Sequence, residues 1–208
     1  KGPQGTLSGA IGQAGAVNIT TRQPTRELEG YVRGEVGQEG QFLTEGAIGG
    51  PISDRLSGRL AVRRAGYDNW IDNDQTNHPI TKPRNDAYRG SLLWDLNDDT
   101  HVLVSTERQK TKRATNSLVL RPYGSDPSLD LTPGLFDDNY KTTERYTLKV
   151  DHDFANSRLT STTATSTADF EGLIAYDNKL MGALYGTPSE FWVVDKSFER
   201  SWSQDVHL

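Results

Sequence analysis

The sequence contains no cysteine. That removes disulfides, thiolate metal sites and thiol nucleophiles at once. Long apolar runs are missing too: stretches such as Phe191-Trp192-Val193-Val194 fall far short of the roughly 20 consecutive apolar residues that a membrane-spanning helix needs. There is no excess of positive charge. The 23 Lys and Arg are outnumbered by 28 Asp and Glu, for a net charge of -5, so no nucleic-acid partner is expected. The histidines His78, His101, His152 and His207 are far apart and lack metal-ligand spacing. Asp68, Asp72 and Asp74 with Asn69 and Asn73 form an acidic loop, but the turn glycine of a calcium loop is absent. No Ser/His/Asp order, carboxylate pair or phosphate-cradling glycine loop stands out, so neither an enzyme nor a cofactor is expected.

What is present is alternation. Residues 1–27 are rich in Gly, Ala and Thr, and the short run Ala16–Thr21 reads as a strand ended by Pro24. No helical period is sustained beyond two turns. From Leu28 onward apolar and polar residues alternate strictly. Leu56, Gly58, Leu60 and Val62 interleave with Ser57, Arg59, Ala61 and Arg63. Tyr88, Gly90, Leu92, Trp94 and Leu96 interleave with Arg89, Ser91, Leu93 and Asp95. Successive strand side chains point to opposite faces, so each run has one apolar and one polar face.

The runs are about ten residues long or slightly more, the length a tilted strand needs to cross a bilayer. Short connections sit at Ser53-Asp54-Arg55, Asn97-Asp98-Asp99 and Ala155-Asn156-Ser157. Long ones span 66–86, 113–141 and 172–197, and Gly37–Gln41 is a brief exception on the long side. Short turns on one rim and long loops on the other mark an outer-membrane barrel. Aromatic residues near run ends, among them Tyr67, Trp70, Tyr88, Trp94, Phe154, Phe198 and Trp202, suit interfacial girdles. The predicted fold is all-β: an antiparallel meander of about eight transmembrane strands. The strands are expected near 28–36, 42–52, 56–66, 86–96, 100–112, 140–154, 157–171 and 198–208, with even-numbered apolar residues outward.

The N-terminal segment is the specific part. Lys1-Gly2-Pro3-Gln4-Gly5-Thr6-Leu7, followed by Ala14-Gly15-Ala16-Val17-Asn18-Ile19-Thr20-Thr21-Arg22-Gln23-Pro24, resembles the closing segment of the plug in TonB-dependent outer-membrane receptors. Glu29-Gly30-Tyr31-Val32 is similar to the first barrel strand of that family. Gly49-Gly50-Pro51-Ile52-Ser53-Asp54-Arg55-Leu56-Ser57-Gly58-Arg59-Leu60-Ala61 is similar to the second strand, first periplasmic turn and third strand. Trp202-Ser203-Gln204-Asp205-Val206 is similar to a recurring later strand. Ser8, where the family often has Tyr, and Ala14-Gly15, where it often has a Gly pair, depart from the pattern.

The resemblance implies that residues 1–27 end a plug domain and residues 28–208 begin a barrel of about 22 strands. The chain starts at Lys1, without Met, and stops at Leu208 inside an alternating run, so an internal piece is expected. The intact receptor would take up a scarce ligand across the bacterial outer membrane. A ferric siderophore is expected first, with cobalamin or carbohydrate behind it, and the energy would come through the TonB complex. A passive porin is disfavoured by the plug-like start. A secreted glycan-binding or adhesive β-sandwich module is the alternative of a different class.

Three groups of residues carry these expectations. Arg59, Arg63, Arg89, Arg145 and Lys149 would face the lumen and meet plug carboxylates. Tyr67, Trp70, Arg84, Arg121, Tyr123 and Trp192 would bind ligand from the long loops, since cations and aromatic faces suit an anionic, aromatic iron chelate. Asp68, Asp72, Asp74, Asp126, Asp137 and Asp138 in the same loops would repel an anion and suit a neutral sugar. Arg108, Lys110 and Lys112 share the outward parity of Val102 and Val104, at a height where they would meet lipopolysaccharide phosphates.

Overall fold

The computed structural model describes residues 20–68, 70–113, 127–134, 139–187 and 189–208. Strands β1 (Glu29–Val36), β2 (Phe42–Ser53) and β3 (Leu56–Gly66) come first. Two short strands follow, β4 (Asp72–Asn73) and β5 (His78–Pro79), then the long β6 (Arg84–Asn97) and β7 (Thr100–Lys112). After the short β8 (Ser128–Leu129) come β9 (Tyr140–Asp153), β10 (Arg158–Tyr176), helix α1 (Asn178–Tyr185) and β11 (Phe191–His207). The eight long strands form one sheet in the order β1-β2-β3-β6-β7-β9-β10-β11, every neighbour antiparallel. Among the described residues they do not split into two packed layers, so the β-sandwich alternative is not formed.

The two faces differ as the alternation requires. Ile48, Leu60, Leu92, Trp94, Val104 and Leu148 all lie on the even-numbered face and are exposed. Apolar area this continuous is foreign to a water-facing monomer and native to a wall against hydrocarbon. The odd face buries Ser57, Ser91, Ser105 and Asp95. Among the described residues no helix is long and apolar enough to cross a membrane.

Three tight turns close the short rim, and they set which residues face out. Ser53 pairs with Leu56, and Asn97 with Thr100. In both hairpins the register then shifts by one, past Ile52 and past Leu96. These bulges return even residues opposite even ones, as in Ile48 with Leu60 and Leu92 with Val104. Pro51 is tolerated beside such an irregularity because a bulge relaxes the ladder that its missing N–H cannot join.

The third turn differs. Asp153 pairs with Arg158, Phe154 N donates to Ser157 O at 2.8 Å, and the pairing runs on to Glu171 opposite Tyr140 without a shift. Leu148 therefore faces Thr163, and in the next hairpin Thr163 faces Gln204. On β10 the odd residues Ser161, Thr163, Thr165 and Thr167 share the apolar face, and Ala164, Ala168 and Phe170 turn the other way. This corrects the expectation that even-numbered apolar residues face outward throughout.

The long connections also hold more structure than the sequence suggested. β10 continues to Tyr176 and β11 begins at Phe191, lengthening the last hairpin. β4 pairs with β5 antiparallel and with β8 parallel, so two separate loops join in one small sheet. Ile71, Ile80, Leu129, Leu131 and Ala175 form a buried cluster beneath it. Helix α1 docks alongside, with Asn178 N donating to Asp130 O at 2.9 Å. Asp177 caps its start by accepting from Lys179 N at 2.9 Å, and Gly186, at φ 80°, ends it. The three long connections thus share one rim.

Candidate functional site: the inner face and the long-loop rim

The odd face carries a lattice of ion pairs between strands. Arg59 donates to Glu29 at 2.9 Å, and its side chain is only 8% exposed. Arg89 donates to Glu107 at 2.9 Å, and Lys149 to Asp151 at 2.8 Å. Arg63 stands 4.0 Å from Glu45. Arg145 is exposed and lies opposite Glu107 in register. All five predicted basic residues therefore share this face. The carboxylates described beside Arg59, Arg63, Arg89 and Lys149 come from the wall itself, where plug carboxylates were expected. Residues 20–28 lie against the same face: Pro24 is buried, and Arg26 donates to Asp54 O and to Asp95, which also contacts His101.

At the long-loop rim the structure brings Tyr67 and Arg84 together. Arg84 Nη1 donates to Tyr67 O at 2.6 Å and to Pro83 O at 2.9 Å, and Nη2 reaches Asp68 at 3.3 Å. The guanidinium sits 5.1 Å from the centre of the Phe42 ring, a cation–π contact. Gly66 makes room for this: a Cβ there would lie 2.4 Å from Arg84 Cδ. Tyr67, Arg84 and Phe42 line a depression of about 490 Å³ with Lys112 and Arg113.

Trp70 is exposed beside the buried Ile71. Trp192 pairs with Ala175 on β11, with three strands between it and β6, so it does not join this group. Arg121 and Tyr123 lie outside the described residues. On the even face, Arg108 stands 3.5 Å from Glu144. Lys110 and Lys112 approach the Tyr140 ring centre at 4.5 and 5.8 Å.

The comparisons with known proteins bear on this geometry. No family model matches the chain. The pesticin receptor of Yersinia pestis is 41% identical over 56 residues, which is 27% of this chain and 8% of that protein. The ferripyoverdine receptor of Pseudomonas aeruginosa is 26% identical over 111 residues, 52% of this chain and 13% of that protein. Among solved structures, the complex of FpvAI with pyocin S2 superposes with a TM-score of 0.75 at 18% identity. It covers 99% of this chain and 28% of its own. The ferric yersiniabactin uptake receptor FyuA of Yersinia pestis gives a TM-score of 0.75 at 22% identity, over 86% of this chain and 29% of that one. The wall has the fold of a TonB-dependent receptor barrel. This chain spans less than a third of the length of these relatives.

In a receptor barrel the apolar even face meets lipid and the ion-paired odd face turns to the lumen. Residue-type reasoning missed the polar pins of the rim. Asn73 is fully buried. Its Nδ2 donates to Leu131 O at 2.9 Å, and its Oδ1 accepts from Gln75 N at 3.1 Å and Leu131 N at 3.3 Å. Lys179 bonds Asp74 and holds that carboxyl below the ordinary range, whereas burial pushes Asp177 up. Asp74 was considered as a calcium ligand; here a lysine ammonium occupies its oxygen. The available signal was weak: an Asn-Asp pair, and an Asp two residues before Lys179 at the start of a short apolar run.

Proposed function

We propose that this chain belongs to an outer-membrane receptor that imports a ferric siderophore, energised through TonB and without enzymatic activity. The carrying observation is the two-faced wall of eight long strands, together with similarity to proteins named as pesticin and ferripyoverdine receptors. Residues 1–27 are read as the end of the plug and 28–208 as barrel. Tyr67, Trp70, Arg84, Arg121 and Tyr123 are the proposed ligand-contacting set; Trp192, opposite Ala175 on the outward side of β10, is left out of it. The Arg84–Phe42 contact lies on the even face, in register with Lys112 through Gly66, so support for this set comes from its residue types, cations and aromatic faces that suit an anionic, aromatic chelate. Arg59, Arg63, Arg89, Arg145 and Lys149 are assigned to the lumen.

Arg108, Lys110 and Lys112 are assigned to lipopolysaccharide phosphates. A cation on the lipid face costs roughly 2–4 kcal/mol at the bilayer midplane and much less near an interface, so these three belong above the apolar band. The test is uptake of radioactive iron, supplied as a panel of ferric siderophores, by cells with and without the full-length gene. One chelate should lose transport when either the gene or TonB is deleted. Unchanged uptake of every chelate, with expression induced by a glycan and indifferent to iron, would overturn the reading.

A further inference from the structure

On the lumen face at the long-loop rim, next to the Tyr67–Arg84 depression and sharing Arg113 with it, four charges surround one aromatic ring. Arg113 follows β7, Lys141 is on β9, Phe170 on β10, and Asp195 and Glu199 on β11. Together they line a cleft of about 240 Å³. The register explains the arrangement. Lys141 lies opposite Phe170, and Phe170 lies opposite Ser197, with Asp195 and Glu199 two positions to either side of that serine. The cations therefore form one wall, the carboxylates the other, and the ring lies between them.

The cleft is held in place by its surroundings. Arg113 N donates to Asn139 O at 2.8 Å, and Asn139 Nδ2 donates to Leu173 O at 2.9 Å, tying the end of β7 to β10. The Arg113 guanidinium stands 5.7 Å from the Phe170 ring centre. Gly172 leaves space for both neighbours: a Cβ there would lie 2.5 Å from Asn139 Oδ1 and 2.7 Å from Phe170 Cζ. Ion pairs recur throughout this wall, yet among the described residues none of these four charged side chains has a partner within ion-pair distance.

We propose that this cleft is a subsite for a zwitterionic arm of the transported ligand, an inference that rests on the uptake reading above. Adjacent strands lie about 4.8 Å apart, so the Lys141 backbone is roughly 10 Å from the carboxylate wall and the Arg113 backbone one strand further. That is too wide for the ammonium and carboxylate of one α-amino acid. It suits an arm, such as a short linear peptide, whose opposite charges are separated by an apolar stretch that lies across Phe170. The carboxylate end meets Arg113 and Lys141, and the ammonium end meets Asp195 and Glu199. A dianion would be repelled by one wall and a dication by the other.

The test uses the full-length receptor and four ferric trihydroxamate chelates that differ only in one arm. The arm carries an ammonium and a carboxylate, either charge alone, or neither. The doubly charged arm should bind at least about tenfold more tightly than the neutral one. Asp195→Asn with Glu199→Gln should weaken only the ammonium-bearing chelates, and Arg113→Gln with Lys141→Gln only the carboxylate-bearing ones. Wild-type receptor that binds all four chelates equally overturns this inference and leaves the uptake reading standing. Receptor that binds none of them, while still importing another chelate of the panel above, also overturns this inference and leaves the uptake reading standing; loss of both kinds of binding removes both. The wild-type series decides the matter even if a variant fails to assemble.

Discussion

Replacing Asn73 with alanine should open the loop cap without disturbing the wall beneath it. Asn73 ties the loop after β3 to the loop before β9 through both the N–H and the C=O of Leu131. Truncation leaves those two backbone groups unpaired in a site whose neighbours Ile80, Leu129 and Leu131 are at most 1% exposed. An unsatisfied buried group costs about 1–3 kcal/mol; at about 1–2 kcal/mol each, the lower part of that range because water can enter the space the side chain leaves, the pair should destabilise the cap by about 2–4 kcal/mol. The third bond, from Gln75 N, is partly open to water and adds little. Native-state hydrogen exchange on the full-length receptor in detergent reads this directly. Protection at Leu131 and Ile80 should fall by about 30- to 1,000-fold, while wall amides such as those of Leu92 and Val104 keep theirs. Asn73→Asp separates two explanations. It retains the oxygen that shapes the local turn but loses the Nδ2 donor and adds a buried charge, so it should not rescue protection. Full rescue by Asp, or protection within about twofold of wild type in the alanine variant, would show that Asn73 shapes a turn and does not join two loops.

The remaining predictions concern charge, pairing and parity. The Asp74 carboxyl is held below its ordinary value of 3.8 by Lys179; its contribution to docking α1 is therefore complete above that value and lost as pH falls through the lowered one. Burial raises Asp177, and that opposite effect costs stability at neutral pH and is relieved by acid. Exchange from α1 should consequently accelerate on acidification below 3.8 in the wild type and change less in Lys179→Met. Arg59→Ala should destabilise the refolded receptor in urea by about 1.5–2 kcal/mol, the lower part of the range for charged hydrogen bonds, because Glu29 is a quarter exposed and keeps Arg22 at 2.8 Å. Cysteine scanning of β10 in the full-length receptor, with any cysteine outside this cysteine-free chain replaced, should give Thr163→Cys labelling by a membrane-dissolved maleimide and Ala164→Cys labelling by a water-soluble one. The reverse pattern would refute the outward placement of the odd residues.

Much of the wall was legible because its cause is local. A strand between lipid and lumen alternates where its two faces differ in polarity, and β1, β2, β3 and β7 end within a residue or so of their expected positions. The parity of β10 was not legible. It depends on whether a tight turn is followed by a bulge, and the first two short turns carry one while the third does not. Residue types in β10 give no counter-signal, since Ser161, Thr163, Thr165 and Thr167 on one side face Thr160, Thr162, Ala164 and Ser166 on the other. With both faces weakly polar, the alternation that specifies register elsewhere has little to act on.

The rim was less legible for a related reason. β4, β5 and β8 have two residues each, too few for any period to register, and β8 pairs only because two distant loops meet. Tyr67 and Arg84 could be selected by type, and their backbones are adjacent through the pairing of β3 with β6. Trp192 is equally suitable by type, but three strands lie between it and β6. Arg113, Lys141, Phe170, Asp195 and Glu199 come from four places in the chain, and only the register sets them around one cleft. Selection by residue type finds the side chains able to touch a ligand. Which of them touch the same ligand is decided by strand order and by single-residue shifts at the far rim, because each turn there sets the facing of the residues that its strand delivers to the loops.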